Sequence, residues 1–254
     1  MTPDLIKQID EAAAWIKASA HAIAFTGAGI SVESGIPPFR GENGLWNTYD
    51  PACIELSYFL SRPAESWNNI RKIFYDFMGE AKANDAHRAL ARLEDTGMLK
   101  WVITQNIDFL HQQAGSINVT EFHGSIGSLH CLHCGRTIPA AKLSWTPFPP
   151  QCPSCRGLLK PDFVFFGEAI PEEAMATAIK QAERSDLMIL IGTTGEVVPA
   201  SMIPPAAKRS GARIIEINIS PSRYTGAFTD LYLEGKASVI MNALLVRLTE
   251  NGNQ

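Results

Sequence analysis

A short glycine-containing segment has residue types that suit phosphate binding, and it directly follows an apolar run that predicts a strand. Gly27 and Gly29 let the backbone pass close to a diphosphate, Ala28 keeps the approach open, and Arg40 adds a planar positive charge. Val32 stands where the usual G-x-G-x-x-G pattern has its third glycine, and no acidic residue ends a predicted second strand about 20 residues later. These departures disfavour an ordinary hydride-transfer enzyme. The alternative is that the segment is only a tight strand-to-helix turn.

Four of the five cysteines form two C-x2-C pairs with 17 residues between them, namely Cys131, Cys134, Cys152 and Cys155. This spacing is typical of one tetrahedral zinc ion. Four thiolates leave no open position for water, so the predicted metal is structural. The alternative, two disulfides, needs an oxidising compartment, whereas residues 4–18 are acidic and amphipathic and contain no apolar signal core. Cys53 lies outside the set and is predicted to be a buried, unreactive thiol.

Length and composition predict a soluble globular chain. Its 254 residues are 46% hydrophobic, enough for a full α/β core with a smaller appended module. No apolar run approaches the roughly 20 residues that cross a bilayer. A net charge of −4 and a pI near 5.9 give no general basic face for nucleic acid. We therefore expect a monomeric cytoplasmic protein that binds neither membranes nor nucleic acid, and its acidity favours a basic peptide as substrate.

Hydrophobic periodicity predicts alternating helices and strands, the pattern of an α/β fold with a Rossmann-like, doubly wound parallel sheet. The predicted strands are 21–25, 99–103, 118–122, 186–191 and 213–219. Two predicted helices have both ends defined, 4–19 and 171–183. A third starts at about 85, with its cap at Asn84 or Asp85, and a fourth ends near 115. The last two lie between 199 and 210 and after 237.

Two insertions interrupt this pattern and predict a second, smaller domain. We expect a dinucleotide-binding domain of residues 1–40, 85–123 and 161–254. The small domain then combines a helical module, 41–84, with a zinc ribbon, 124–160.

Polar side chains follow the predicted strand 99–103, within Thr104-Gln-Asn-Ile-Asp108. They should lie at the carboxyl edge of the sheet, where open α/β folds bind ligands. Gln105, Asn106 and Asp108 have the amide and carboxylate groups to bind ribose hydroxyls and a carboxamide. The alternative is that Asn106 and Asp108 only cap the next helix.

His123 ends another predicted strand, directly before Gly124. An imidazole at a strand end is a suitable general base, although a lone histidine is more often structural. The nearby polar residues favour the catalytic interpretation. His87, His111, His130 and His133 have no comparable neighbours in the sequence.

The motifs GAGIS with GIPPFRG, TQNID, FHG, the paired C-x2-C, KPDFVFFGE, GTT and Glu216-Ile-Asn218 resemble those of the sirtuins in order and spacing. The resemblance covers nearly the whole chain. Sirtuins are NAD-dependent protein-lysine deacylases, so it implies NAD as co-substrate, one structural Zn²⁺ and acyl-lysine proteins or peptides as partners.

The resemblance also implies roles for individual residues. His123 would be the catalytic base, with Asn106 beside it. NAD would contact Gly27, Ala28, Gly29, Phe39, Arg40, Gln105, Asn106, Asp108, Gly192, Thr193, Thr194, Asn218 and Ala237. The substrate peptide would contact Val164, Phe165, Phe166, Gly167, Glu196 and Val197, added as an extra β-strand.

The implied reaction needs no nucleophile from the enzyme. The acyl oxygen of the modified lysine would attack C1′ of the nicotinamide ribose and expel nicotinamide. This gives an alkylimidate. His123 would then accept a proton from the ribose hydroxyl relay, the neighbouring hydroxyl would attack the imidate carbon, and water would complete the release of free lysine and O-acyl-ADP-ribose. Three alternatives stay open: a protein mono-ADP-ribosyltransferase using the same NAD site, a module that only senses NAD, and a zinc-ribbon nucleic-acid protein.

Departures from the sirtuin pattern lead to further expectations. Pro38 replaces the usual Asp and should stiffen its loop. Gly195 replaces the usual Leu and should leave a wider or more mobile tunnel mouth, where the Glu196 carboxylate would favour Lys or Arg in the peptide. In an ungapped alignment, Ile70 and Ile73 stand where desuccinylating sirtuins carry Tyr and Arg, so neutral acyl groups should be preferred over succinyl. The alternative is a shifted alignment that brings Arg71 to this place.

Overall fold

The computed structural model describes residues 1–39 and 44–249. Its α-helices are α1 (Pro3–Ala18), α2 (Leu56–Ser61), α3 (Pro63–Ile70), α4 (Asp85–Asp95), α5 (Leu110–Gln113), α6 (Glu172–Arg184), α7 (Ile203–Arg209) and α8 (Ala237–Thr249). Its strands are β1 (Ala22–Thr26), β2 (Trp101–Thr104), β3 (Val119–Glu121), β4 (Gly124–Cys131), β5 (Thr137–Pro139), β6 (Leu159–Phe163), β7 (Leu187–Ile191), β8 (Arg213–Asn218) and β9 (Leu231–Glu234). Within these described ranges, no helix combines the length and apolar character that crossing a bilayer requires.

Six parallel strands form the main sheet in the order β3-β2-β1-β7-β8-β9. The chain extends from β1 to one side through β2 and β3, and later to the other side through β7, β8 and β9. The strand order therefore reverses beside β1, and a crevice is expected at the carboxyl ends of β1 and β7. The predicted doubly wound sheet is confirmed.

Alternating apolar residues of each central strand face opposite layers of helices. In β1, Ala22 and Ala24 pack toward α1, α4 and α8, whereas Ile23 and Phe25 pack toward α6 and α7. Because both faces are covered, the central strands are continuously apolar, as parallel sheets usually are. These two buried layers fix the strand ends that carry the polar residues.

A second apolar core joins the helical stretch after residue 44 to a three-stranded antiparallel sheet, β5-β4-β6. Trp67 of α3 is fully buried there, and its indole N–H donates to the Leu159 carbonyl of β6 at 2.9 Å. The α3 helix is followed by a π-helical stretch, Arg71–Phe77. The helical stretch and the ribbon therefore share one apolar core.

The sequence-based prediction missed one strand of the six-stranded sheet and misplaced several ends. Strand β9 has only four residues between Asp230 and Gly235, too short a run to give a clear periodicity. The helix predicted between 199 and 210 begins with a 3-10 turn, Ala200–Met202, before α7. The N-cap of α4 is Asn84, whose side chain accepts from Ala86 N–H at 2.9 Å.

Candidate functional site

The loops that follow β1 and β7 touch through their backbones. Gly29 N–H donates to the Gly192 carbonyl at 2.8 Å. A Cβ atom added to Gly29 would lie 2.5 Å from the Gly192 Cα atom, so neither loop has room there for a side chain. The 3-10 helix Ala28–Ser34 starts at this contact, directly after the carboxyl end of β1. This is where an anionic diphosphate would be expected.

The polar residues after β2 lie directly beneath this turn. The Asn106 amide donates to the Gly27 carbonyl at 3.2 Å and to Ser31 Oγ at 3.1 Å. Ser31 Oγ in turn donates to Asp108 Oδ2 at 2.7 Å. Burial raises the pKa of Asp108, opposed by hydrogen bonds from Ser31 and Leu110. Asp108 Oδ1 also accepts from the N–H of Leu110, the first residue of α5, at 3.1 Å, so Asp108 contacts the start of α5 as well as joining the polar cluster.

A third set of bonds ties the ends of β2, β7 and β8 together. Gln105 Nε2 donates to Thr193 Oγ1 at 3.0 Å, and Asn218 Nδ2 donates to the Thr193 carbonyl at 2.9 Å. Glu216 is fully buried, and its Oε1 atom accepts from Asn218 Nδ2 at 3.1 Å. Thr193 is thereby fixed between two amide side chains, whereas Thr194 is exposed beside it.

His123 faces the same crevice, and its tautomer follows from one contact. Its Nδ1 atom lies 2.9 Å from the Gln105 carbonyl oxygen. A carbonyl oxygen can only accept, so Nδ1 carries the hydrogen and Nε2 has the free lone pair. Burial lowers the pKa of His123, and the hydrogen bond to Gln105 partly opposes that shift. The side chain is therefore a neutral imidazole with Nε2 available as a base.

The segment Val164–Gly167 is joined to His123 and to the helical module. Val164 N–H donates to the His123 carbonyl at 2.8 Å. On its other side, Phe166 exchanges two backbone bonds with residues 54 and 56, at 2.9 and 3.0 Å. Among described residues, the Gly167 N–H has no acceptor. The segment thus retains a backbone donor for an added strand.

A buried ion pair supports this segment from below. Lys160 is 2% exposed, and its Nζ atom lies 2.8 Å from Glu168 Oε2 and 4.0 Å from the centre of the Phe165 ring. Nζ also donates to the carbonyls of Pro161 and Phe163 at 3.0 and 2.9 Å. Glu168 Oε2 additionally accepts from Phe165 N–H at 2.7 Å. One cation and one carboxylate therefore hold the backbone directly before the segment and at Phe165 within it.

The Tyr224 ring fills the space beside Gly195, so the predicted widening of the tunnel mouth is not found at this position. A Cβ atom at Gly195 would lie 2.8 Å from the Tyr224 ring, and the glycine has φ of +73°, which disfavours other residues. Arg223 N–H donates to the Thr194 carbonyl at 3.1 Å, and its guanidinium lies 3.7 Å from Glu196. A loop that follows β8 therefore packs against the loop that follows β7 and partly neutralises Glu196.

The remaining predicted site residues are more loosely associated. Phe39 packs on Trp46 with ring centres 5.4 Å apart, and Trp46 lies 6.5 Å from Phe166. Val197 is half-buried next to Glu196, and Ala237 is buried as the first residue of α8. Arg40 lies outside the described residues.

The four paired cysteines come together as predicted. Their Sγ atoms all lie within 4.8 Å of one another, with Cys131–Cys155 at 3.5 Å and Cys134–Cys152 at 3.8 Å. Zn–S bonds of about 2.3 Å in a tetrahedron require sulfur separations of about 3.8 Å. None of the four is in a disulfide. The donor set therefore fits one structural zinc ion.

Two isoleucines that bear on acyl preference lie inside the second core. Ile70 and Ile73 are 0% and 1% exposed. Arg71 is directed away from them, with its guanidinium 4.6 Å above the Trp145 ring and its Nε atom 3.4 Å from Asp76. The two isoleucines carry no charge, and the Arg71 cation is occupied by Trp145 and Asp76, so none of the three provides a free cation inside that core.

Several residues of the site were not identified from the sequence. Ser31 links Asn106 to Asp108, a role that the sequence pattern does not indicate. The role of Glu216 could have been inferred from the sequence, because a carboxylate within an apolar strand must be paired with buried hydrogen-bond donors. His87 and His111, which seemed isolated in sequence, pack edge to face 4.9 Å apart. Burial lowers both pKa values, to about 4 for His87, so both rings are neutral structural groups.

Comparison with known proteins agrees with this architecture. The model of the Sir2 family matches residues 27–199. An NAD-dependent protein deacylase of Aeropyrum pernix is 46% identical over 236 residues, covering 89% of this chain and 92% of the relative. NAD-dependent protein deacetylase 1 of Pyrobaculum aerophilum is 42% identical over 243 residues, covering 95% of each.

Solved structures give the same result in three dimensions. A Sir2 homologue in complex with ADP-ribose superposes with a TM-score of 0.88 at 37% identity, covering 98% of this chain and 97% of that one. A Sir2 protein with a p53 peptide and NAD⁺ superposes with a TM-score of 0.85 at 33% identity, covering 95% and 97%.

Proposed function

This chain belongs to the Sir2 family, and on that premise we propose how its residues carry out NAD-dependent protein-lysine deacylation. The observation that carries the proposal is the position of His123. Its free Nε2 atom belongs to a ring held by Gln105, at the same sheet edge as Asn106 and Asp108. A base and a set of polar groups for a sugar thus lie together.

NAD would be held by the contacting loops after β1 and β7 and by the side chains at the ends of β2 and β8. Gln105, Asn106 and Asp108 would bind the nicotinamide ribose and carboxamide. Thr193 and Asn218 would bind the adenosine half. Bound NAD supplies an electrophilic sugar carbon with nicotinamide as its leaving group, so the substrate's own acyl oxygen can serve as nucleophile.

His123 would accept a proton at Nε2 from a ribose hydroxyl. Because Nδ1 donates to the Gln105 carbonyl, the ring keeps the tautomer that this role needs. Its lowered pKa keeps the imidazole neutral, and therefore basic, to below the ordinary histidine pKa of about 6.5. General base catalysis of this kind contributes roughly 10²- to 10⁴-fold in rate.

The acyl-lysine peptide would pair as a strand with Val164–Gly167, facing Glu196 and Val197 on the other side. Main-chain bonds of this kind give affinity that depends little on sequence. Phe39 would keep water from the reacting sugar carbon. Ile70 and Ile73 leave no partner for an acyl carboxylate, so acetyl and other neutral acyl groups would be preferred.

One structural zinc ion would maintain the ribbon beside this cleft without entering the reaction. We also propose a cytoplasmic location, because four clustered thiols remain metal ligands only where they stay reduced.

The test is mass spectrometry of an acetyl-lysine peptide incubated with NAD and the protein. We expect nicotinamide, O-acetyl-ADP-ribose and free lysine peptide in equal amounts. An ADP-ribosyltransferase would instead add ADP-ribose to a protein or peptide. Nicotinamide release without deacetylation would reject the proposal.

A further inference from the structure

A groove lies at one end of the segment proposed to bind the peptide. Its volume is about 460 Å³, and its lining residues are Glu55, Leu56, Ser57, Leu60, Phe166 and Gly167. Leu60 is 55% exposed and Phe166 is 42% exposed, and both large apolar side chains line the same groove. The floor of the groove is therefore apolar and open to solvent.

One anionic group lies at this groove without a counter-ion. Glu55 is exposed, and its carboxylate has no ion pair or hydrogen bond within residues 1–39 and 44–249. The lining includes no Lys or Arg. The buried Lys160 is already paired with Glu168. The groove thus combines an apolar floor with one unneutralised negative charge.

The groove is continuous with the proposed peptide site through the backbone. Phe166 is paired with Glu55 as a parallel bridge, so the residue that lines the groove also belongs to the peptide-binding segment. The next residue, Gly167, has the free N–H that an added strand would use. A peptide paired along this segment would therefore carry one of its neighbouring side chains into the groove.

We propose that this groove binds a Lys or Arg side chain of the substrate close to the acyl-lysine, an inference that rests on the proposed deacylase function. The methylene stem of a long basic side chain packs on Leu60 and Phe166, and its cationic end reaches the Glu55 carboxylate. An acidic side chain would be repelled by Glu55. A short polar one would leave the apolar floor uncovered.

The experiment compares acetyl-lysine peptides with an alanine background that carry Arg, norleucine or Glu singly at each position from three before to three after the acetyl-lysine. Norleucine retains an aliphatic stem without charge. We expect one position at which kcat/KM for Arg exceeds that for norleucine by about two- to fivefold, the range of exposed ion pairs, with Glu poorest. Equal values for Arg and norleucine at every position would overturn the inference.

Substitution identifies the group responsible. In Glu55→Gln the ratio of Arg to norleucine at that position should fall to about one, whereas in the matched control Glu11→Gln, on α1, it should persist. Leu60→Ser should weaken both peptides. An Arg preference that survives Glu55→Gln would mean that another part of the protein causes the preference, and would reject the groove.

Fluorescence anisotropy with the same peptides gives the same comparison from binding alone. Failure to deacetylate any peptide would refute the proposed function, and the binding ratios would still decide the groove.

Discussion

Replacing Lys160 by Met removes the cation that supports the proposed peptide-binding segment while retaining an aliphatic side chain. The change eliminates the contact to Glu168 at 2.8 Å and the bonds to two carbonyls at 3.0 and 2.9 Å. Glu168 would then be a carboxylate without its counter-ion, although its side chain is 23% exposed and still accepts from Phe165 N–H.

The expected cost follows from this partial exposure. Removing one partner of a fully buried pair costs about 3–5 kcal/mol. Since Glu168 retains solvent contact and one hydrogen bond, we expect the lower end, about 3 kcal/mol. For a chain of this size that corresponds to a fall in Tm of about 6–12 °C. Because the bonds to Pro161 and Phe163 fix the start of the segment, KM for the peptide should rise several-fold while KM for NAD stays the same.

Thermal unfolding and steady-state kinetics with each substrate varied provide the assay. The matched control is Lys208→Met, whose partner Asp230 lies 2.6 Å away in a pair that is 34% and 32% exposed. That control should lower the free energy of unfolding by less than about 1 kcal/mol and leave both KM values unchanged. If Lys160→Met destabilised no more than the control, or raised both KM values equally, the supporting role of Lys160 would be wrong.

Three further predictions concern the base, the metal and the acyl group. His123→Ala should abolish formation of free lysine, while calorimetry should still detect binding of NAD and peptide. In the wild type, the acidic limb of the kcat/KM profile should lie below pH 6.5, because burial lowers the pKa of His123. Wild-type turnover by the variant would reject this assignment. Replacing Cys131 and Cys134 by Ala should remove zinc, which metal analysis would report. It should also unfold the ribbon, since structural zinc contributes on the order of 10 kcal/mol of apparent binding free energy to the folded state. A metal-free variant with full activity would contradict this. Succinyl-lysine should be poorer than acetyl-lysine by at least about a hundredfold in kcat/KM, because Ile70 and Ile73 offer no partner to a carboxylate; equal kinetics on one peptide would exclude the role given to these two residues.

The parts of the fold that local sequence signals determine were predictable. Glycine turns, paired cysteines and polar residues directly after apolar runs identify the carboxyl edge of a parallel sheet. Gln105 and Asn106, which follow β2, contact Thr193 after β7 and Gly27 after β1 because neighbouring parallel strands end at the same level. Their mutual hydrogen bonds, and the part played by Ser31, depend on side-chain geometry that spacing does not define.

Contacts between distant segments were not predictable in the same way. Strand β9 is recognisable chiefly through its pairing with β8, because its own apolar pattern is short. The bridge between Glu55 and Phe166 joins two segments whose sequences give no sign of pairing. Lys160 and Glu168 fall within one recognised motif, but only the fold shows that the lysine is buried beneath the segment between them.

The contact between Gly195 and Tyr224 makes two remote positions interdependent. The backbone at 195 and the aromatic ring at 224 occupy adjoining space with no gap, so a methyl group cannot be added to one without moving the other. A side chain at 195 therefore requires both a changed backbone conformation at 195 and a smaller or displaced side chain at 224. In an alignment of relatives these two positions should covary, and a residue with a side chain at 195 should be accompanied by a smaller one at 224.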